Sequence, residues 1–165
     1  MTVNIRHAQA AEQDVVANLL QCYLHDFSEF TPVPMDSRGR FSYPYLGHYW
    51  HDPQRFPFFV EHKNQIVGLA LLRQDKEPAT GKQHMDMAEF FILRAHRRCG
   101  IGRGAARALF CLFPGPWQVR VMRANQAAYP FWQACIGDHT GGHYVETTEP
   151  RARVFNFDQV NQSST

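Results

Sequence analysis

The residues best placed by type and spacing to do chemistry form one stretch, Arg97-Arg98-Cys99-Gly100-Ile101-Gly102-Arg103-Gly104. Glycine at every second position leaves a row of backbone N–H groups uncovered by side chains and tolerates unusual φ. An apolar run from Met87 to Leu93 precedes the stretch and an alanine-rich run from Ala105 to Phe113 follows it, so the loop joins a strand to a helix. The first N–H groups of a helix have no intrahelical partner, and the macrodipole adds about half a positive charge there. Such a loop is an anion cradle, best suited to a pyrophosphate. From Phe90 through Gly137 the chain has no Asp or Glu, yet Arg94, Arg97, Arg98, Arg103, Arg107, Arg120 and Arg123 all fall there. That asymmetry points to an anionic ligand. The bland alternative, an ordinary strand-to-helix turn, has little need of three glycines among arginines.

Glu89 is the last acid before the acid-free stretch and sits on the strand leading into the loop. A carboxylate there can accept a proton from an attacking nucleophile, directly or through water. The competing reading is a salt bridge to one of the seven arginines, which would depress the Glu89 pKa and weaken it as a base. Cys99 and Cys135 are thiols without a readable Cys-His-Asp arrangement, which favours packing as small hydrophobes. His48, His51 and Asp52 resemble part of a metal site but lack a convincing third ligand, so no metal is expected.

The elements that must position these residues follow from periodicity. Thr2 to His7 reads as a strand and Ala11 to Phe27 as an amphipathic helix. Glu29 to Pro57 is aromatic and broken by prolines, with a helical segment around Leu46 to Trp50. Phe58 to Glu61 and Ile66 to Leu72 form a hairpin across Lys63-Asn64, Asp75 to Lys82 a polar turn, and Met85 to Leu93 the next strand. The glycine loop and its helix end at Pro114-Gly115-Pro116. Trp117 to Met122 is a strand, Asn125 to about Cys135 a helix, and Tyr144 to Glu149 with Arg153 to Phe157 a closing hairpin. This order implies one α/β domain, a mixed sheet of six to seven strands with helices on both faces.

The whole-chain figures agree with that reading. A chain of 165 residues, 44% apolar, suffices for one core, and a net charge of +2 does not suit a polycation coating nucleic acid. Four cysteines without a CxxC pair, no apolar leader and no long apolar run lead us to expect a cytoplasmic protein, with residues 161–165 as a flexible tail.

Three families of phosphate loop compete for the stretch. Gly104-Ala105-Ala106 lacks the lysine and hydroxyl of a Walker A loop. Gly100-Ile101-Gly102-Arg103-Gly104-Ala105 satisfies a dinucleotide fingerprint, but no acid follows before Asp138 and several strands come first. The third match is better. Arg97, Gly100 and Gly102 resemble the R/Q-x-x-G-x-G/A loop of the GNAT superfamily of acetyl-CoA-dependent N-acyltransferases. Asn125, Ala128, Phe131 and Trp132 fall in that superfamily's downstream register, Gly137 lies one residue later than its usual glycine, and the element order matches along nearly the whole chain.

The resemblance implies acetyl-CoA as co-substrate and a primary amine of a small molecule or peptide as acceptor. It places the N–H groups of Arg98, Cys99, Gly100, Ile101, Gly102, Arg103 and Gly104, with Arg97, around the pyrophosphate. The strand edge at Phe91, Ile92 and Leu93 would pair with the pantetheine, and Phe91 or Ile92 would offer an N–H to the thioester oxygen. Asn125 would hydrogen-bond near the thioester and Glu89 would act as base. Trp132 stands where a tyrosine acid is usual and cannot supply a proton. It would pack beside the pantetheine or in the core, leaving Tyr129, one turn earlier, as the substitute acid. The aromatic segment Phe41 to Phe59 would wall the acceptor, with His25, Asp26, Glu29 and Asp36 nearby. Two other readings stay open, a non-catalytic acyl-CoA-binding module and a small RNA-binding domain stacking bases on Trp117 and Tyr129. No membrane or nucleic-acid partner is expected, and a homodimer is left open.

Overall fold

Among the described residues seven strands form one mixed sheet in the order β1-β2-β3-β4-β5-β7-β6. They are β1 (Asn4–His7), β2 (Arg55–His62), β3 (Gln65–Lys76), β4 (Gln83–Ile92), β5 (Trp117–Met122), β6 (Val145–Thr148) and β7 (Ala152–Phe157). Four helices accompany them, α1 (Gln13–Phe27), α2 (His48–His51), α3 (Ile101–Leu112) and α4 (Ala128–Thr140). The computed structural model describes residues 2–158, and the tail expected at 161–165 lies outside them.

Alternation along the strands divides the core between the two faces. On one face Phe58, Leu72, Met87 and Phe155 pack against Leu109 and Phe110 of α3 and Trp132 and Ile136 of α4. On the other, Phe59, Leu69 and Leu71 pack against Val16 and Leu20 of α1 and Tyr49 of α2. Phe59, Phe110 and Phe155 are fully buried, and each such side chain contributes about 1.5–3 kcal/mol. The β2–β3 turn is the two-residue kind foreseen, with Lys63 at φ 50 and Asn64 at φ 60. Two left-handed residues in succession match the twist of an antiparallel pair.

Two irregularities of β4 shape everything near the loop. Its pairing with β3 runs Leu71↔Glu89 and then Leu72↔Met87, so Ala88 is an extra residue, a β-bulge. Without it Met87, Glu89 and Phe91 would share a face; with it Met87 joins the α3–α4 core while Glu89 lies opposite Leu71, on the α1 side. The second irregularity is the junction with β5. These strands run parallel but pair only at Met85↔Trp117 and Asp86↔Gln118, then diverge. Beyond Asp86 the β4 edge is therefore open.

The N–H of Leu93 donates to the Val67 carbonyl at 2.9 Å. Antiparallel alternation then aims the Leu93 and Phe91 peptide groups at β3 and those of Ile92 and Phe90 at the open side. Of the three residues expected to offer a free edge, only Ile92 does so. Helix α4 also starts later than expected, at Ala128, because the Asn125 Oδ1 accepts the Ala128 N–H at 3.1 Å and caps the helix from outside.

Where β3 crosses β4 at Gly68↔Ile92 the backbones leave no room for a side chain. A Cβ on Gly68 would lie 2.3 Å from the Phe91 carbonyl oxygen and 2.8 Å from Ile92 Cδ1. Gly68→Ala is expected to lower stability by about 1–3 kcal/mol through forced separation of the strands, measured as a reduced urea midpoint at unchanged slope.

Candidate active site

Glu89 is held by two phenols. Tyr23 of α1 donates a short hydrogen bond to its Oε2, and Tyr43, in the loop before α2, donates to Oε1 at 3.1 Å. Burial raises the Glu89 pKa; the two phenol bonds and Arg73 pull it down, Asp86 pushes it up, and the net shift is upward. The salt bridge and lowered pKa considered from sequence are both absent among the described residues. The bulge explains this: it turns Glu89 toward α1, whereas four of the seven arginines, Arg94, Arg97, Arg103 and Arg120, pair with other acids.

The acids that answer those arginines come from outside the acid-free stretch. Asp26 of α1 accepts from Arg94 at 2.9 and 2.7 Å and from Arg97 at 2.5 Å. Burial pushes the Asp26 carboxyl up, but these arginine bonds outweigh it and hold the pKa low. Arg103 pairs with Asp138, and Arg120 with Glu149 at 3.2 Å. Arg97 also donates to the Ile92 carbonyl at 2.6 Å and lies over the Phe91 ring at 5.4 Å, which locks the start of the loop onto β4.

The loop itself opens a cleft of about 530 Å³ walled by Arg97, Arg98, Gly100, Gly102 and Arg103, with Phe90, Phe91 and Ile92 on the strand side. Gly100 takes φ 83 and caps α3, a left-handed conformation that glycine adopts without strain. Among the described residues the N–H groups of Arg98 through Arg103 find no protein acceptor, whereas Gly104 N–H donates to the Gly100 carbonyl at 3.0 Å. The run of unpaired N–H groups therefore ends at Arg103, one residue before Gly104. Gly102 and Gly104 are small for packing reasons. A Cβ on Gly102 would lie 3.2 Å from the Phe131 ring, and one on Gly104 would lie 3.1 Å from Val3. Ile101 is buried against Val60, Val67 and Ile92, Cys99 is exposed with its Sγ donating to the His96 carbonyl, and Leu93 does not line the cleft.

A second cleft, about 470 Å³, occupies the gap between β4 and β5 and holds Glu89, Tyr43, Tyr45, Arg73, Asp86 and Trp132. The two clefts share Tyr23, Phe27, Phe90, Asn125 and Ala128 as common wall. Trp132 is buried and packs edge-on to Phe90, so it faces the Glu89 cleft and not the glycine cleft. Tyr129 lines neither cleft: its hydroxyl donates to Glu146 at 2.9 Å, its ring lies under Arg153, and the substitute acid expected there points away. Cys135 is buried in the core and burial pushes its thiol up to about 11, so it carries no thiolate near neutral pH.

A diphosphate fits the first cleft, since unpaired N–H groups at a helix mouth are what such an anion recruits. Comparison with known proteins shows the family. The model described as the acetyltransferase (GNAT) family matches residues 17–137. The chain belongs to the GNAT family. A search of the curated proteins finds no match. Among solved structures, this GNAT chain resembles an acetyltransferase from Thermus thermophilus at 15% identity, covering 96% of this chain and 97% of that one with a TM-score of 0.67. It also resembles a spermidine N-acetyltransferase from Vibrio cholerae, solved with CoA and spermine, at 16% identity, 95% coverage of each chain and a TM-score of 0.64. An aminoglycoside acetyltransferase from an uncultured soil metagenomic sample follows at 15% identity, covering 81% of this chain and 86% of that one, TM-score 0.58.

Sequence reasoning missed Tyr23 as a partner of Glu89, because a tyrosine on the apolar stripe of α1 reads as core. It also missed the pair of buried Asp86 and Arg73, 2.7 Å apart. The register Arg73↔Asp86 across β3 and β4 is the signal that would have found it. Arg73→Met strands the Asp86 carboxylate without a partner and is expected to cost about 2–3 kcal/mol, less than for a fully buried pair because the guanidinium is partly exposed. The double change Arg73→Met with Asp86→Leu should recover most of that loss in urea denaturation.

Proposed function

We propose that this GNAT-family chain is an N-acetyltransferase that moves an acetyl group from acetyl-CoA to a primary amine, by direct attack while both substrates are bound. The observation that carries this reading is the shared wall of the two clefts. It sets an anion cradle and a carboxylate base on either side of one junction, formed by Tyr23, Phe27, Phe90, Asn125 and Ala128. The diphosphate would lie on the N–H groups of Arg98 to Arg103, and the pantetheine would run along the open edge of β4. Ile92, whose N–H faces that edge, would donate to the thioester oxygen as it gains charge. The neighbouring spermidine and aminoglycoside enzymes support an amine acceptor. So does the Glu89 cleft, where Tyr23, Tyr43 and Tyr45 surround a carboxylate.

Glu89 serves as the base. Its raised pKa makes it a stronger base than an ordinary carboxylate, and its ionised form appears only above that raised value. The acid limb of kcat/KM is therefore expected above the usual carboxylate range near 4.3. Glu89→Gln should remove that limb and lower kcat by about 10²- to 10⁴-fold. A limb that persists in the variant rules Glu89 out as the base.

The coenzyme site is tested separately by calorimetry with acetyl-CoA and by thiol release across spermine, an aminoglycoside and short peptides. Gly102→Glu puts a negative charge at the helix mouth and against Phe131. Like charges brought together cost several kcal/mol, on the order of a hundredfold or more in Kd. Unchanged affinity in that variant would place the coenzyme elsewhere.

A further inference from the structure

Acyl transfer moves one proton from the acceptor nitrogen to the coenzyme sulfur, and on the reading above the acceptor enters from the Glu89 cleft and the coenzyme from the glycine cleft, so the two atoms meet at the wall the clefts share. Glu89 lines the acceptor cleft alone, and the loop glycines line the coenzyme cleft alone. Of the five residues common to both, four are Phe27, Phe90, Asn125 and Ala128, none of which carries a proton to give. The fifth is Tyr23, whose hydroxyl already touches Glu89. Tyr129 is committed to Glu146, and Tyr43 faces the acceptor cleft only.

We infer that Tyr23 is a catalytic residue that relays the proton taken by Glu89 to the departing thiolate. The inference rests on the acetyltransferase reading above. The neutral amine nitrogen attacks the thioester carbon, forming the C–N bond, and its surplus proton passes to Glu89. As the C–S bond breaks, its electron pair stays on sulfur. The Tyr23 hydroxyl, no longer needed by a protonated Glu89, turns and gives its proton to the sulfur while Glu89 returns one to the phenol oxygen. Amide and thiol are formed, and both side chains end as they began.

The energetics favour a concerted relay over a free tyrosinate. Burial first, then the adjacent Glu89, hold the Tyr23 phenol well above its ordinary range, so it does not ionise at rest. The net transfer runs from a carboxylic acid to a thiolate, the stronger base by the ordinary values of about 4.3 for a glutamate carboxyl and about 8.5 for a cysteine thiol. The groups facing the pair are Tyr43 from the preceding loop, Tyr49 from α2, Asp86 from β4 and Arg73 from β3. Asp26, one turn along α1, is tied up by Arg94 and Arg97.

The test compares the natural chain with Tyr23→Phe and Tyr43→Phe. It uses acetyl-CoA and the fastest amine among spermine, the aminoglycoside and the peptides, across pH and in mixtures of light and heavy water. Both substitutions remove one hydrogen bond from ionised Glu89, so both should move the acid limb to higher pH. Only Tyr23→Phe should also lower the plateau kcat by about 10²- to 10³-fold. It should straighten a bowed proton inventory too, with acetyl-CoA affinity kept within a few fold by calorimetry. Tyr43→Phe should lose only a few fold and keep the bow. The relay is overturned if Tyr23→Phe behaves as Tyr43→Phe does while the natural chain turns over. A natural chain that binds acetyl-CoA yet acetylates none of the amines instead overturns the acetyltransferase reading, and the relay with it.

Discussion

One inserted residue in a strand decides what chemistry the sheet can present. A β-strand shows alternate side chains to alternate faces, so a carboxylate two positions from Met87 belongs in the α3–α4 core, where an unpaired charge would cost several kcal/mol. The bulge at Ala88 reverses the parity and hands Glu89 to the α1 face. The same strand then loses its neighbour, since β5 stays paired only as far as Asp86 and Gln118. Bulge and divergence act together: one aims the acid, the other empties the space beside it and leaves the Ile92 and Phe90 peptide groups without a ladder partner on that side.

The loop presents unpaired peptide N–H groups as well as arginine charge. Seven arginines in a stretch without acids suggest a strong positive field, but Asp26, Asp138 and Glu149 fold back onto four of them. What is left at the cleft is Arg98, which has no acid partner among the described residues, and the fan of N–H groups from Arg98 to Arg103, displayed because Gly100 turns the chain left-handed at the helix mouth. Arg97 works inward, with its guanidinium shared between Asp26 and the Ile92 carbonyl, and so fixes where the fan points. The three glycines look alike in sequence and do three jobs: Gly100 makes the turn, Gly102 admits Phe131, and Gly104 lets α3 sit on Val3.

Much of this was legible in the residues because it rests on local rules. Lys63-Asn64 specified its turn, Pro114-Gly115-Pro116 ended α3, and Gly100 and Gly102 marked the loop without any partner being known. What stayed hidden depends on which faces meet. No spacing within Met85 to Leu93 announces that Ala88 is unpaired, so neither the side Glu89 would face nor its phenol partners could be read. Nor does Tyr129 reveal that Glu146, on a later strand, will take its hydroxyl. Charge was misjudged for the same reason: an acid-free stretch of chain is not an acid-free region of space.

Helix α1 joins these two halves of the site. Tyr23 and Asp26 are three residues apart, one turn along one face. The first holds Glu89 and the second holds Arg94 and Arg97 at the mouth of the loop. Behind them, buried Val16 and Leu20 fix the helix against Phe59, Leu69 and Leu71. A helix seated this way cannot shift its Tyr23 end without dragging Asp26, so the distance from Glu89 to the glycine loop is tied to packing on the α1 face of the sheet. Interiors at crystal-like density resist even small displacements. The α1 core thus fixes a carboxylate on one strand relative to a row of amides on the next loop.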